Sequence, residues 1–168
     1  AEELTFIHAS DMHLGAPFRG LRSLSPEWAD RMMEAIPQAF DRLIDEAIRR
    51  HVDFVVITGD IFDISRPSYR DVLLFGNGMQ RLHDADISVY FCTGNHDPLT
   101  SWKDDFVNLP ENVHMFPADA AGFFLYERNG QHLAALGGRG YYNRVVSSET
   151  NIAEGITRAA AQDALGVR

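Results

Sequence analysis

Apolar positions along the chain change period several times, and each change marks an element. Val55-Val56-Ile57-Thr58 is a continuous run rich in β-branched residues, the pattern of a strand buried on both faces, and it stops at Gly59-Asp60-Ile61-Phe62-Asp63. Two other strand patterns end the same way. Leu4 to Ser10 runs into Asp11-Met12-His13, and Ile87 to Cys92 runs into Gly94-Asn95-His96-Asp97. Between these strands the period becomes helical. Ser25-Pro26-Glu27 reads as an N-cap followed by proline at the first helical position, and Phe40, Leu43, Ile44, Ala47 and Ile48 keep the spacing of one apolar stripe up to about His51. Pro37, which lacks the N–H a helix interior needs, predicts a break or kink between the two. Ser68 with Asp71 reads as a second helix start, and Val72, Phe75, Met79 and Leu82 supply its stripe. Gly76 and Gly78 inside that stripe predict a close packing partner, either the sheet or a second subunit. The pattern is β-α-β-α-β, with right-handed crossovers expected.

The later part reads differently. Val113 to Phe116 is a short strand, and Phe123 to Glu127 pairs with His132 to Leu136 through Asn129-Gly130, a hairpin signal. Gly137-Gly138-Arg139-Gly140 lacks the spacing of a phosphate-cradling motif and reads as a flexible turn. Asn151 to Leu165 has helical composition, and no repeat, low-complexity tract or linker is visible.

Composition narrows this modestly. With 168 residues and 45% hydrophobic content, one domain with one sizeable core is expected, residues 1–168 forming a single unit. A formal charge of −9 argues against a generally basic nucleic-acid-coating surface, although a metal-bearing groove in an acidic protein still holds phosphate. The single cysteine, Cys92, sits in an apolar strand; it excludes an internal disulfide and fits a reducing compartment. Neither a signal-peptide pattern nor an apolar run of about 18 residues occurs, so a soluble, cytoplasmic protein without a membrane span is expected.

The chemistry lies at the three strand ends. In a parallel sheet all three fall on one edge, where α/β folds bind ligands. Asp11 and His13, two residues apart, fall on one side of an extended segment and can share an ion. Asp60, on the middle strand, is the natural bridging ligand: Asp11, His13 and Asp60 would hold one divalent ion, Asp60 and Asn95 a second. Carboxylate, imidazole and amide ligands suit Mn²⁺, Fe²⁺ or Zn²⁺ better than Ca²⁺. A metal pair about 3.5–4 Å apart binds phosphate oxygens and activates a hydroxide for in-line attack, so phosphoester hydrolysis follows. His96 is free to protonate the leaving oxygen, and Asp97 beside it orients that imidazole or fixes the turn. His8, His114 and His132 have no partner at ligand spacing and read as structural. Arg19, Arg22 and Arg66 are candidates to meet substrate phosphates, weighed against the plainer reading as surface arginines.

Asp-Met-His, Gly-Asp-Ile-Phe-Asp and Gly-Asn-His-Asp, in this order, resemble the motifs of the calcineurin-like metallophosphoesterases. The longer strings from Phe6 to Leu21 and from Gly59 to Ser68 are similar to the bacterial DNA-repair exonuclease, SbcD-like, branch. The likeness runs from about residue 4 to 98, and more loosely to about 140. It implies a four-layer α/β/β/α sandwich, Asp11, His13, Asp60 and Asn95 as metal ligands, His96 as the catalytic acid, and two metal ions, Mn²⁺ preferred. It also implies DNA as substrate, a homodimer, and for some members an SMC-like ATPase partner. Asp63 stands where some nucleases of the branch carry a second phosphate-contacting His, and no histidine follows His132 to complete the second metal shell. The sandwich is therefore expected to be incomplete at the C-terminus, with residues 1–168 the front part of a longer catalytic domain, weakly active or inactive alone. One edge or face of its sheet would be left uncovered. The leading expectation is a metal-dependent DNA exo/endonuclease. The alternatives are a phosphodiesterase for cyclic nucleotides or other small esters, and a catalytically silent scaffold of the same fold.

Overall fold

The computed structural model describes residues 3–102 and 108–167. Four parallel strands, β1 (Phe6–Ala9), β2 (Phe54–Thr58), β3 (Ser88–Cys92) and β4 (Val113–Met115), lie side by side in chain order. The middle position of β2 therefore holds in space as well as in sequence. Its alternation sends Val55 and Ile57 to one face and Phe54 and Val56 to the other, so both faces are packed. β1 is an edge strand, and Phe6 remains 53% exposed on it. It is half-covered rather than buried.

On the first face lie α2 (Pro26–Arg50) and α3 (Tyr69–Asp84). Phe40, Ile44, Ala47, Phe75, Met79 and Leu82 meet Val55, Ile57, Val89 and Phe91 in the main core. The Ser25 hydroxyl accepts from Trp28 N–H at the start of α2, and Ser68 and Asp71 form a reciprocal capping box at the start of α3. Pro37 does not break α2: the helix runs through it for 25 residues. The Met33 carbonyl that loses its donor lies on the exposed N-terminal half of the helix, open to solvent that can take the place of the missing N–H. The close partner of Gly78 is α2. A Cβ there would come within 2.6 Å of the Phe40 ring, so the glycine lets α2 and α3 approach.

The second face is covered by a hairpin, β5 (Gly122–Arg128) and β6 (Gln131–Gly138), turning at Asn129 and Gly130 with φ of 55° and 74°. Phe124, Tyr126, Ala134 and Leu136 pack on Phe54, Tyr90 and Phe116. Gly137 and Gly138 belong to β6 and are not a loop, because Phe123 and Phe116 rings occupy the space a side chain would take. Outside the hairpin lies α4 (Arg158–Leu165), shorter than the helical composition from Asn151 suggested, since residues 151–156 form turns. Leu125 and Ala135 share a cleft with Ala161 and Arg158 of α4. The order α2 and α3, parallel sheet, hairpin, α4 is the four-layer α/β/β/α sandwich.

Asp53 ties the layers at the N-terminal end of the sheet. Its carboxylate accepts from Thr5 N–H at 2.8 Å, Tyr126 Oη at 3.0 Å and Arg128 Nη1 at 2.6 Å. Burial, with the bond to Asp53 adding, pushes the Tyr126 phenol up to about 12. Cys92 packs in the second core, and burial pushes its thiol up to about 11. Among the described residues no helix is long and apolar enough to cross a membrane.

Candidate metal centre and active site

The loops leaving β1 and β2 are zipped together by main-chain hydrogen bonds. Asp11 N–H donates to the Gly59 carbonyl at 3.2 Å, His13 N–H to that of Asp60 at 3.0 Å, and Leu14 N–H to that of Ile61 at 2.8 Å. Asp63 N–H returns a bond to the Leu14 carbonyl at 3.1 Å. This pairing sets Asp11 and His13 beside Asp60. They do not share a side through extended backbone, as a period of two implied: φ is 55° at Asp11, 46° at His13 and 50° at Asp60. All three candidate ligands are left-handed, a conformation that costs roughly 1–2 kcal/mol per L-residue and that the surrounding bonds enforce.

The loop leaving β3 is held by Asp97, which is 1% exposed. One carboxylate oxygen accepts from Gly94 N–H at 2.8 Å and Asp60 N–H at 3.1 Å, the other from Ile61 N–H at 2.9 Å and Phe62 N–H at 3.2 Å. Burial, the largest influence, pushes this carboxyl up to about 6; Asp60 adds to the rise and the amide donors oppose it. Of its two expected roles, fixing the turn is the one its hydrogen bonds serve, since the His96 ring is held elsewhere. Gly59 and Gly94 let these loops meet: a Cβ on Gly59 would lie 3.0 Å from Gly94 Cα, and one on Gly94 would run into the Asp60 carboxylate. Asp97→Asn puts an amide where two backbone donors need an acceptor. We expect it to destabilise the metal-free protein by about 2–3 kcal/mol, read from the urea midpoint at constant slope.

Asp11, His13 and Asp60 each offer one ligand atom, all within 4.8 Å of one another. Opposite ligands of a metal held at about 2.1 Å lie about 4.2 Å apart, so small side-chain adjustments suffice, and the donor set fits a divalent transition metal. The Nδ1 of His13 lies 3.1 Å from Asp63 Oδ1, while its Nε2 lies 3.9 Å from Asp11 Oδ1. An N–H on Nδ1 bound to Asp63 leaves the Nε2 lone pair facing Asp11, the carboxylate–histidine arrangement that orients metal-binding imidazoles. His13, Asp63 and His96 form a second such group. The Nδ1 of His96 donates to the Asp63 carbonyl at 2.8 Å, its backbone N–H donates to Asp60 Oδ1 at 2.8 Å, and its ring stands edge-on to His13 with centroids 4.8 Å apart. Asn95 lies half-buried between Gly94 and His96 on this loop.

The remaining sequence candidates separate. Arg22 is paired with Asp30 at 2.5 Å and so is turned toward α2 from the short helix α1 (Arg19–Leu24), while the Arg19 side chain lies outside the described residues. Arg66 borders a groove beside the site. His8 bonds Thr58 Oγ1 at 2.8 Å on the exposed edge, and His114 stacks on Tyr90 and Phe124 at 5.1 Å each, where burial lowers its pKa. His132 pairs with Glu127. Sequence reasoning passed over Asp63 as an organising residue. Its place three residues after Asp60 was the available signal.

A family profile described as calcineurin-like phosphoesterase matches residues 4–156. The chain belongs to the calcineurin-like phosphoesterase family. Similar to it are the uncharacterized metallophosphoesterase YhaO of Bacillus subtilis, 36% identical over 145 residues, covering 86% of this chain and 35% of that protein. Also similar is the DNA double-strand break repair protein Mre11 of Methanosarcina acetivorans, 33% identical over 64% of this chain and 16% of that one. Mre11 of Thermoplasma acidophilum is 35% identical over 54% of this chain and 22% of its own length. The chain thus spans about a third or less of these relatives. The family is one of phosphoesterases, and in this chain Asp11, His13 and Asp60 form a group that could hold a metal ion.

Proposed function

We propose that this calcineurin-like phosphoesterase hydrolyses phosphodiester bonds in DNA, as an SbcD-like exo/endonuclease of the DNA-repair type. The observation that carries the reading is the convergence of Asp11, His13 and Asp60 with a held imidazole, His96, at the ends of three adjacent parallel strands. The similarity to proteins named as DNA double-strand break repair Mre11 supports the choice of DNA.

In this reading Asp11, His13 and Asp60 hold one divalent ion, and Asp60 with Asn95 reaches a second, Mn²⁺ being the preferred metal. When bound, the metal pair supplies Lewis acidity at the phosphoryl oxygens and a lowered pKa for the attacking water. Asp63 keeps His13 in the tautomer that presents Nε2 to the ion. Its carbonyl fixes the Nδ1 edge of His96, so that Nε2–H of the protonated ring delivers a proton to the leaving oxygen. Asp97 holds the Asp60 loop against the Asn95 loop and touches no reacting atom. The homodimer and the SMC-like ATPase partner belong to the same proposal; exposed Trp28, Met32, Tyr69 and Leu73 on α2 and α3 support an apolar contact on the helical side.

The test is Mn²⁺-dependent degradation of linear DNA by the longest natural form of the protein, compared with cleavage of bis-p-nitrophenyl phosphate. Both activities are expected, and both should vanish with a chelator. Hydrolysis of the small ester alone would overturn the DNA reading in favour of a small-molecule or cyclic-nucleotide phosphodiesterase.

A further inference from the structure

Beside the metal centre, on the same side of the sheet, three loops enclose an open groove of about 770 Å³. Ser65 and Arg66 come from the loop after β2, Pro98 and Thr100 from the loop after β3, and Asn143 and Arg144 from the segment after β6. That last segment reaches the others through main-chain bonds. Tyr141 N–H donates to the Thr93 carbonyl at 3.1 Å, the Tyr141 carbonyl accepts from Leu99 N–H at 2.8 Å and Thr93 Oγ1 at 2.8 Å, and Thr100 N–H donates to the Tyr142 carbonyl at 3.3 Å. Gly140 allows the approach, because a Cβ there would lie 2.9 Å from Thr93 N. Ser65 Oγ donates to the His96 carbonyl at 3.3 Å, so the groove begins where the candidate active site ends. Arg66 follows Asp63 by three residues, which limits their Cα separation to about 11 Å.

The groove is lined by two cations although the chain as a whole is acidic. The chain carries a net −9, and Arg22, Arg31, Arg49, Arg50, Arg81 and Arg128 each pair with a carboxylate. Among the described residues, Arg66 and Arg144 pair with none, as is also true of Arg42, Arg70, Arg139 and Arg158; these two, however, line one groove, both are exposed, and no described carboxylate lines it, while hydroxyls and an amide do. Two unneutralised guanidinium groups with Ser, Thr and Asn donors match the needs of a phosphate, which takes bidentate bonds from arginine and single bonds from hydroxyl and amide groups. A cyclic mononucleotide or simple diester has one phosphodiester, and that one would occupy the metal centre. A polynucleotide strand brings a neighbouring phosphate within reach.

We infer that Arg66 and Arg144 form a second phosphate subsite that holds the backbone of a polynucleotide strand beside the scissile bond, and so select polynucleotides over small phosphoesters. The inference rests on the phosphodiesterase reading above and extends it to a substrate-selecting element. The subsite contributes to KM and to binding, and takes no part in the bond-breaking step.

The test needs no turnover. A fluorescein-labelled single-stranded oligodeoxynucleotide is titrated with residues 1–168 in metal-free buffer, with anisotropy as readout, over a range of salt concentrations. Arg66→Ala and Arg144→Ala are each expected to weaken binding about tenfold, and the double variant on the order of 10²-fold, with the salt slope of log Kd shallower by about 1.4 for two lost contacts to a single strand. Arg31→Ala, which removes an exposed charge on α2, should bind as the parent does. With Mn²⁺ and bis-p-nitrophenyl phosphate, the longest natural form carrying the double substitution should keep kcat/KM within about twofold. Unchanged oligonucleotide affinity in the double variant would overturn the subsite while leaving the DNA reading intact. An equal loss in Arg31→Ala, or an equal loss on the small ester, would also overturn it. A parent protein that cleaves the ester but binds no oligonucleotide would overturn both readings together.

Discussion

Replacing Asp60 with Asn is expected to abolish Mn²⁺ binding at both ions and all phosphoester hydrolysis, while the metal-free fold survives. Asp60 sits at the end of the central strand of the three that carry ligands, and its carboxylate lies in one group with Asp11 and His13. The substitution is chosen for what it keeps. Asn tolerates the left-handed backbone at φ 50° about as well as Asp, and its amide oxygen still accepts the 2.8 Å bond from His96 N–H. The backbone N–H of residue 60 still donates to Asp97. What disappears is one negative charge and one anionic oxygen at the position shared by both proposed sites. Loss of a partner that merely orients a ligand costs 10–100-fold in metal affinity, so loss of a shared ligand should exceed about 10²-fold. Calorimetric titration with Mn²⁺ and urea unfolding of the metal-free protein measure the two halves of the claim. Tight Mn²⁺ binding by the variant would remove Asp60 from the bridging role.

His96→Ala should behave differently. Metal affinity is expected to stay within about threefold of the parent, while turnover of DNA falls on the order of 10²–10⁴-fold, as for a lost general acid. The structural basis is that His96 bonds through Nδ1 to a carbonyl, leaving Nε2 directed away from that anchor, and its backbone N–H to Asp60 is retained in the alanine variant. The leaving group sharpens the test. The DNA leaving oxygen is a poorly stabilised alkoxide that needs the proton, whereas nitrophenolate departs without it. The loss on bis-p-nitrophenyl phosphate should therefore be much smaller than on DNA. Equal losses on both substrates would argue against acid catalysis, and loss of metal as complete as in Asp60→Asn would make His96 a ligand, as its grouping with His13 and Asp63 allows.

Part of this was legible before any fold was known. The caps at Ser25 and Ser68, the hairpin at Asn129-Gly130, and the three strands that end in Asp11, Asp60 and Asn95-His96 were all read from local pattern, because capping, turn and burial signals act over a few residues. The pattern failed where a distant residue decided the outcome. Gly137 and Gly138 looked like a loop because nothing nearby shows that Phe116 and Phe123 fill their side-chain space. Pro37 looked like a breaker because its freed carbonyl partner is solvated only if that half of α2 stands clear of the core.

The sequence by itself determined that carboxylate, imidazole and amide groups follow three strands, and hence the family to which the chain belongs. Side-chain identity and the period of apolar positions are local properties, and they suffice for that. Only the tertiary structure decided how the ligands meet. Asp11, His13 and Asp60 converge through left-handed backbone held by bonds between the β1 and β2 loops, and Asp97 spends its carboxylate on four amides from two loops. Arg22 is drawn to Asp30, while Arg144, 78 positions after Arg66, arrives beside it across the groove. Backbone strain and charge pairing depend on which distant segments pack together, and no local period records that.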